Sequence, residues 1–180
     1  SIKKIGKLDV LEKEVLFNLI NNSIHFTVIS SGIRNKLISY FKLDDPKFIH
    51  VITNATHTNQ GKVQYIDIRR KYSISPQNKI MLCVGNFGFN KNQLQVCRSY
   101  NLLPENIKNN LTILFLGSEN FNEVSKEELF KFKQNKNLIF CGFIPKDDIY
   151  SYYMQSDFNI VASVSEGFGL SFIEAFHSRS

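Results

Sequence analysis

Ile80-Met81-Leu82-Cys83-Val84-Gly85-Asn86-Phe87-Gly88-Phe89-Asn90-Lys91-Asn92 sets the fold. Five apolar residues stop at a glycine, and a polar loop with a second glycine leads to a lysine. A helix is expected from Asn92 to Tyr100. The same order then repeats: strand Leu111 to Leu116 before Gly117, and helix Lys126 to Gln134. Strand Leu138 to Cys141 ends at Gly142, and helix Lys146 to Met154 follows, with Asp147 and Asp148 favoured by the helix dipole in its first turn. Strand Phe158 to Ala162 and helix Gly169 to His177 complete the run. Four strands alternating with four helices predict an α/β, Rossmann-like, doubly wound parallel sheet with right-handed crossovers and helices on both faces. Such sheets have five or six strands, so this one is expected to be incomplete at its carboxyl end.

Upstream, Val10, Leu11, Val15, Leu16, Leu19 and Ile20 repeat at helical spacing, predicting a helix over Leu8 to Asn22 with Asp9 as its cap. Strand Ile24 to Ser30, helix Ile33 to Lys42 and strand Phe48 to Ile52 form a βαβ unit, read as the remnant of a preceding domain. Thr53 to Asn78 is polar and aperiodic, with weak strand alternation only over Val63 to Ile68, and reads as a linker or crossover. The expected division is residues 1–60, the end of one domain and its linker, and 61–180, a second domain. Both chain ends are expected to be cuts rather than natural termini, and Ser1 to Gly6 lacks the pattern of a secretory leader.

Composition narrows the function. The 180 residues are 43% hydrophobic and 21% charged, which excludes disorder as the main state. No apolar run reaches the roughly 18 residues of a membrane span. The net charge of +6 comes mostly from lysines scattered along the chain, such as Lys3, Lys4, Lys7, Lys131, Lys133 and Lys136. Nucleic-acid surfaces cluster their charge and favour arginine, so a solvated lysine-rich face is the simpler reading and no nucleic-acid partner is expected. Cys83, Cys97 and Cys141 are odd in number and lack metal spacing, which fits reduced, buried thiols of a cytosolic protein.

Ligands of open parallel sheets bind at the carboxyl ends of the strands. After the first strand of the second domain, Gly85 and Gly88 permit close backbone approach, and Lys91 stands at a helix start, a combination that favours an anion such as phosphate. The loop matches neither a Walker A nor a G-x-G-x-x-G pattern, and a tight turn with a surface lysine is the plain alternative. After the last strand, Ser163-Val164-Ser165-Glu166-Gly167-Phe168-Gly169-Leu170 opens a helix whose first backbone N–H groups are free to donate. Glu174 lies eight residues beyond Glu166 among apolar neighbours. It needs a partner, for which a ligand hydroxyl pair would serve, or else it faces solvent.

Glu166-Gly167-Phe168-Gly169-Leu170 to Glu174 resembles the E-x(7)-E motif of retaining GT-B glycosyltransferases of family 4, the glycosyl transferases group 1. Met81 to Gly85 with Lys91-Asn92, Ile113 to Gly117, Ile139 to Ile144, and Ser156-Asp157-Phe158 resemble further family segments in the right order, and Phe48 to Ala55 resembles its interdomain linker. The resemblance implies an enzyme that transfers a sugar from a nucleotide-sugar donor to a glycan or glycolipid acceptor, with the acceptor domain before the linker and the donor domain after it. Carried over, Glu174 would hold ribose hydroxyls, and Gly167, Phe168, Gly169 and Leu170 would present backbone donors to the diphosphate and sugar. Glu166 would touch sugar hydroxyls at the reacting centre, and Lys91, beside Gly85 and Asn86, would neutralise the distal phosphate. Gly142, Phe143 and Ile144 would flank the base. Glu166 and Lys91 are thus the implied catalytic residues. A lysine plus a helix N-terminus can stabilise the diphosphate leaving group, so neither a cofactor nor a metal is expected. The setting implied is cytoplasmic glycan or lipopolysaccharide assembly, with room for peripheral association at the inner face of a membrane.

Two departures bear on this. Asn86 stands where the family commonly has Arg, leaving Arg69, Arg70 and Arg98 as candidate substitutes, and Ala55 replaces the linker glycine. The resemblance implies that only the last βαβ piece of the acceptor domain is represented here, and neither His57 nor His177 is read as a catalytic base. Two rival readings remain: a non-catalytic nucleotide-sugar-binding module, suggested by Asn86, and a basic domain for nucleic acid or membrane surfaces, suggested by the charge.

Overall fold

The computed structural model describes residues 10–44, 46–55, 65–119 and 123–178. Two compact units divide the chain, Ser1–Ala55 and Thr56–Ser180. Asp9, His57 and Val63 lie outside the described residues, as does the linker stretch 56–64.

The first unit contains α1 (Val10–Asn21), β1 (Phe26–Val28), α2 (Ser31–Phe41) and β2 (Ile49–Val51). β1 and β2 are parallel, with Phe26 opposite Ile49 and Val28 opposite Val51, so the expected βαβ unit is present. Ser30 starts α2: its Oγ accepts from the Ile33 N–H at 3.2 Å. Lys42 ends it in the left-handed region at φ +53°. Arg34 of α2 reaches down to the Ile49 and Pro46 carbonyls at 3.1 and 3.3 Å, fixing the helix to the strand it precedes.

The second unit holds α3 (Ile68–Lys71), β3 (Lys79–Val84), α4 (Gln93–Asn101), α5 (Glu105–Lys108), β4 (Leu111–Leu116), α6 (Glu123–Lys133), β5 (Leu138–Gly142), α7 (Lys146–Gln155), β6 (Phe158–Asn159) and α8 (Leu170–His177). Its sheet runs β5-β4-β3-β6 and every pairing is parallel. Side chains alternate across it with period two. Cys83, Ile113, Phe115 and Leu138 pack with Val96, Cys97 and Tyr100 of α4 and with Leu129 and Phe132 of α6. Ile80, Leu82, Leu114 and Leu116 pack on the opposite face with Ile68 of α3 and with Tyr152 and Tyr153 of α7. Helices therefore cover both faces, the doubly wound arrangement that the alternation predicts.

Three expectations are corrected. The stretch read as a linker or crossover is irregular over residues 65–67 but then forms the short helix α3, which Asp67 caps by accepting from the Arg70 N–H at 3.0 Å. β6 pairs with β3 over only two residues, Phe158 and Asn159, rather than extending to Ala162; the Ile160 N–H adds one more bond, to the Leu82 carbonyl at 2.8 Å. Cys141 is half-buried, whereas Cys83 and Cys97 are buried.

Candidate functional site

The sheet's chain order reverses between β3 and β6. From β3 the path runs outward through β4 to β5, then returns to the other side of β3. Loops leaving the two strands at such a reversal diverge and leave a crevice at their carboxyl ends. The two glycine-bearing loops singled out in the sequence are those two loops, and they are bonded together. The Val164 N–H donates to the Asn90 carbonyl at 2.8 Å, and Asn90 Nδ2 donates to the Ser165 carbonyl at 2.9 Å. Asn92 Nδ2 reaches the Ala162 carbonyl at 3.3 Å.

Across this junction Lys91 Nζ donates to Glu166 Oε1 at 2.6 Å. Ser163 Oγ donates to the same oxygen at 2.5 Å. Partial burial opposes ionisation of Glu166, but the Lys91 and Ser163 hydrogen bonds and the Lys91 charge outweigh it, and its carboxyl is held below the usual glutamate range. The lysine stem lies across Gly85: a β-carbon there would meet Lys91 Cε at 3.2 Å and Cδ at 3.3 Å, and Gly85 sits at φ +141°. Glycine is what lets the lysine lie flat against the strand end.

Gln93 was missed in the sequence. It is buried at the start of α4; its Nε2 donates to the Gly85 and Asn86 carbonyls at 2.9 and 3.2 Å, and its Oε1 accepts from the Gly88 N–H at 3.4 Å. The signal was available, because Gln93 shares helical spacing with Val96, Cys97 and Tyr100, and a polar residue at a core position needs internal partners. Asn86 Oδ1 accepts from the Ser118 N–H at 3.1 Å, tying this loop to the end of β4. The position where the family commonly has Arg thus carries a structural amide. Arg98 is engaged elsewhere, by Glu128 at 2.6 Å through both Nε and Nη2. Arg69 serves the Ser75 and Asn78 carbonyls near the amino end of β3. Burial pushes the Cys83 thiol up to about 12 against the opposing Lys91 charge, so it is a packing residue rather than a nucleophile.

α8 begins at Gly169, which is in the left-handed region at φ +78°. No side chain caps it and no acidic residue stands in its first turn, so its leading N–H groups have no internal anion among the described residues. Glu174, one turn further on, is half-buried and accepts from Tyr153 OH at 3.2 Å. Burial first, and then the Glu174 charge, push the Tyr153 phenol well above its ordinary value, so it stays a neutral donor. Beneath the same turn, Asn159 Oδ1 and Ser171 Oγ are buried without a hydrogen-bond partner among the described residues. Gly142 ends β5 at φ +69°, its carbonyl accepting from the Gly117 N–H at 2.8 Å, and Phe143 beyond it is exposed. His177 is at the far end of α8 from Gly169.

A family model described as "Glycosyl transferases group 1" matches residues 64–179. The chain belongs to this family. Its fold is that of GT-B glycosyltransferases. It aligns with WaaG, a glycosyltransferase involved in lipopolysaccharide biosynthesis, at TM-score 0.72 and 14% identity, over 97% of this chain and 49% of that one. It aligns with the Anabaena protein Alr3699/HepE, crystallised with UDP and glucose, at TM-score 0.71 and 17% identity, over 94% and 49%. Among curated proteins it is 22% identical over 158 residues to the Methanocaldococcus jannaschii protein named "Uncharacterized glycosyltransferase MJ1607", covering 85% of this chain and 40% of that protein. The chain thus spans about half the length of the proteins it matches. Among the described residues no helix is long and apolar enough to cross a membrane.

Proposed function

We propose that the chain carries the donor side of a retaining glycosyltransferase, which moves a sugar from a nucleotide diphosphate to a glycan or glycolipid acceptor. The observation that carries this reading is the Lys91–Glu166 contact at the β3/β6 reversal, beside the uncapped start of α8. A nucleoside diphosphate leaving group gathers negative charge as its bond to the sugar breaks. Lys91 supplies a full positive charge there, and the α8 N–H groups of Gly169 and Leu170 supply oriented dipoles. Gly167 and Phe168 shape the turn that delivers them. Glu166, ionised and pinned by Ser163, accepts from sugar hydroxyls once the diphosphate has taken over Lys91. Glu174, steadied by Tyr153, accepts the two ribose hydroxyls. Gly142, Phe143 and Ile144, at the neighbouring strand end, flank the base. Charge stabilisation is assigned to Lys91 and the helix, with no metal or cofactor in the scheme. Residues 1–60 are assigned to the acceptor domain and its linker, and the setting to cytoplasmic glycan or lipopolysaccharide assembly at or near a membrane.

Calorimetric titration with UDP-, GDP- and ADP-sugars tests the reading. One donor is expected to bind, and Glu174→Ala to weaken it about tenfold or more, the loss of a bidentate charge-assisted contact. If no donor binds and Glu174→Ala changes nothing, the assignment fails. Binding without transfer in the full-length protein marks a non-catalytic module.

A further inference from the structure

Asn78, Asn110 and Asn137 are the residues immediately before β3, β4 and β5. Those strands are parallel neighbours, so the three asparagines stand together at the amino edge of the sheet, the edge opposite the crevice. With Tyr72, Thr112 and Lys136 they line a cleft of about 630 Å³.

Each amide nitrogen is used inside the protein. Asn78 Nδ2 donates to Thr112 Oγ1 at 2.9 Å and Asn110 Nδ2 to the Asn106 carbonyl at 2.8 Å. Asn137 Nδ2 donates to the Lys108 carbonyl at 2.8 Å and to Tyr100 OH at 3.3 Å. The carbonyl acceptors fix which way the Asn110 and Asn137 amides point, since a carbonyl accepts only from nitrogen. No hydrogen bond to any of the three Oδ1 atoms is made among the described residues. Asn110 and Asn137 thus leave their amide oxygens to accept, and lining residues of this kind suit a ligand that donates. No Asp or Glu lines the cleft, and Lys136 is its one cationic lining residue, so a metal ion or an ammonium group finds no counter-charge. A neutral molecule with several hydroxyls fits: its O–H groups can donate to the amide oxygens, and half-buried Tyr72 adds an aromatic residue to the lining. The volume lies in the usual range of small-ligand sites.

We propose that this cleft is a second carbohydrate-binding site, taking one or two neutral sugar units at the end of the sheet remote from the donor. The inference goes beyond the donor-site reading and does not depend on it. Its test is amide-detected NMR of the ¹⁵N-labelled chain titrated with glucose, galactose, N-acetylglucosamine, maltose and lactose. At least one is expected to shift the side-chain amides of Asn110 and Asn137 and the backbone of residues 73–78, with UDP leaving the affinity unchanged. Asn110 is exposed, so Asn110→Ala leaves the core intact; it is expected to weaken binding about fivefold or more. The proposal is overturned if no saccharide moves these signals, if Asn110→Ala leaves the affinity unchanged, or if UDP displaces the sugar and the shifts fall on Gly85 and residues 167–170. Failure of the nucleotide-sugar titration alone would leave the cleft signals in place, so the two readings fail separately.

Discussion

Lys91 and Glu166 satisfy each other at 2.6 Å, so on the donor-site reading proposed above a phosphate would have to compete with an internal carboxylate for the lysine. Both side chains are about 30% exposed, at 31% and 28%, so the pair contributes on the order of 1 kcal/mol or less to stability. Its pH dependence follows from the lowered Glu166 carboxyl. The unfolded glutamate binds its proton first as pH falls, so the contribution is fully present above the unfolded value of about 4.3 and is lost as pH drops through the lower folded value. Urea unfolding of wild type and Glu166→Gln is expected to differ by a constant amount above about pH 5.5, with the difference vanishing on the acid side. A difference that persists below pH 3 would show that the glutamine disturbs packing instead.

At the level of elements, the crevice depends on how closely β3 and β4 end together. Gly117 closes β4 at φ +145°, and a β-carbon there would lie 2.2 Å from the Gly85 carbonyl oxygen. The two strand ends touch backbone to backbone, and no side chain can yield to relieve the clash. Gly117→Ala is expected to cost about 3 kcal/mol or more, read as a fall in the thermal midpoint, and to displace the loop that carries Lys91. A stability within about 0.5 kcal/mol of wild type would contradict that contact. This dependence was partly legible in the sequence. Apolar runs closed by Gly85, Gly117 and Gly142 marked β3, β4 and β5, and β4 was read to the residue, because fully buried parallel strands are continuous apolar runs with sharp ends. α3 and α5 escaped: four-residue helices carry too little periodicity to register, and α3 is set by the Asp67 cap. The motif residues Lys91, Glu166 and Glu174 were marked by the family resemblance, since spacing alone left a surface lysine and a solvent-facing glutamate as plain alternatives. The Tyr153 hydroxyl that Glu174 accepts from left no local pattern, because the two residues are 21 apart on different helices; the Ser163–Glu166 contact spans only three residues and lies within the quoted loop.

For the whole molecule, the exposed flank is the one that carries β6. It is an edge strand, and Phe158, Val161, Val164, Phe172 and Phe176 around it and along α8 are exposed. An exposed edge flanked by apolar side chains invites pairing with another copy. Sedimentation of the 180-residue chain is expected to show concentration-dependent self-association, suppressed by Phe172→Lys with Phe176→Lys; a monomer at high micromolar concentration would contradict this. The two-residue pairing of β6 with β3 has a consequence in time as well as in space. Lys91 and Glu166 are 75 residues apart in the chain, and β6 is the element that brings them together. Asp157 reinforces the pairing by accepting from the Ile80 N–H and Lys79 Nζ, both at 2.8 Å, while the unpartnered Asn159 and Ser171 atoms beneath α8 work against it. The β3–β4–β5 core needs none of this and can assemble first. The junction of the β3 and β6 loops is then expected to form late during folding and to open early by local fluctuation, and on the donor-site reading a nucleotide that bridges the two loops would act as the clasp that keeps it shut.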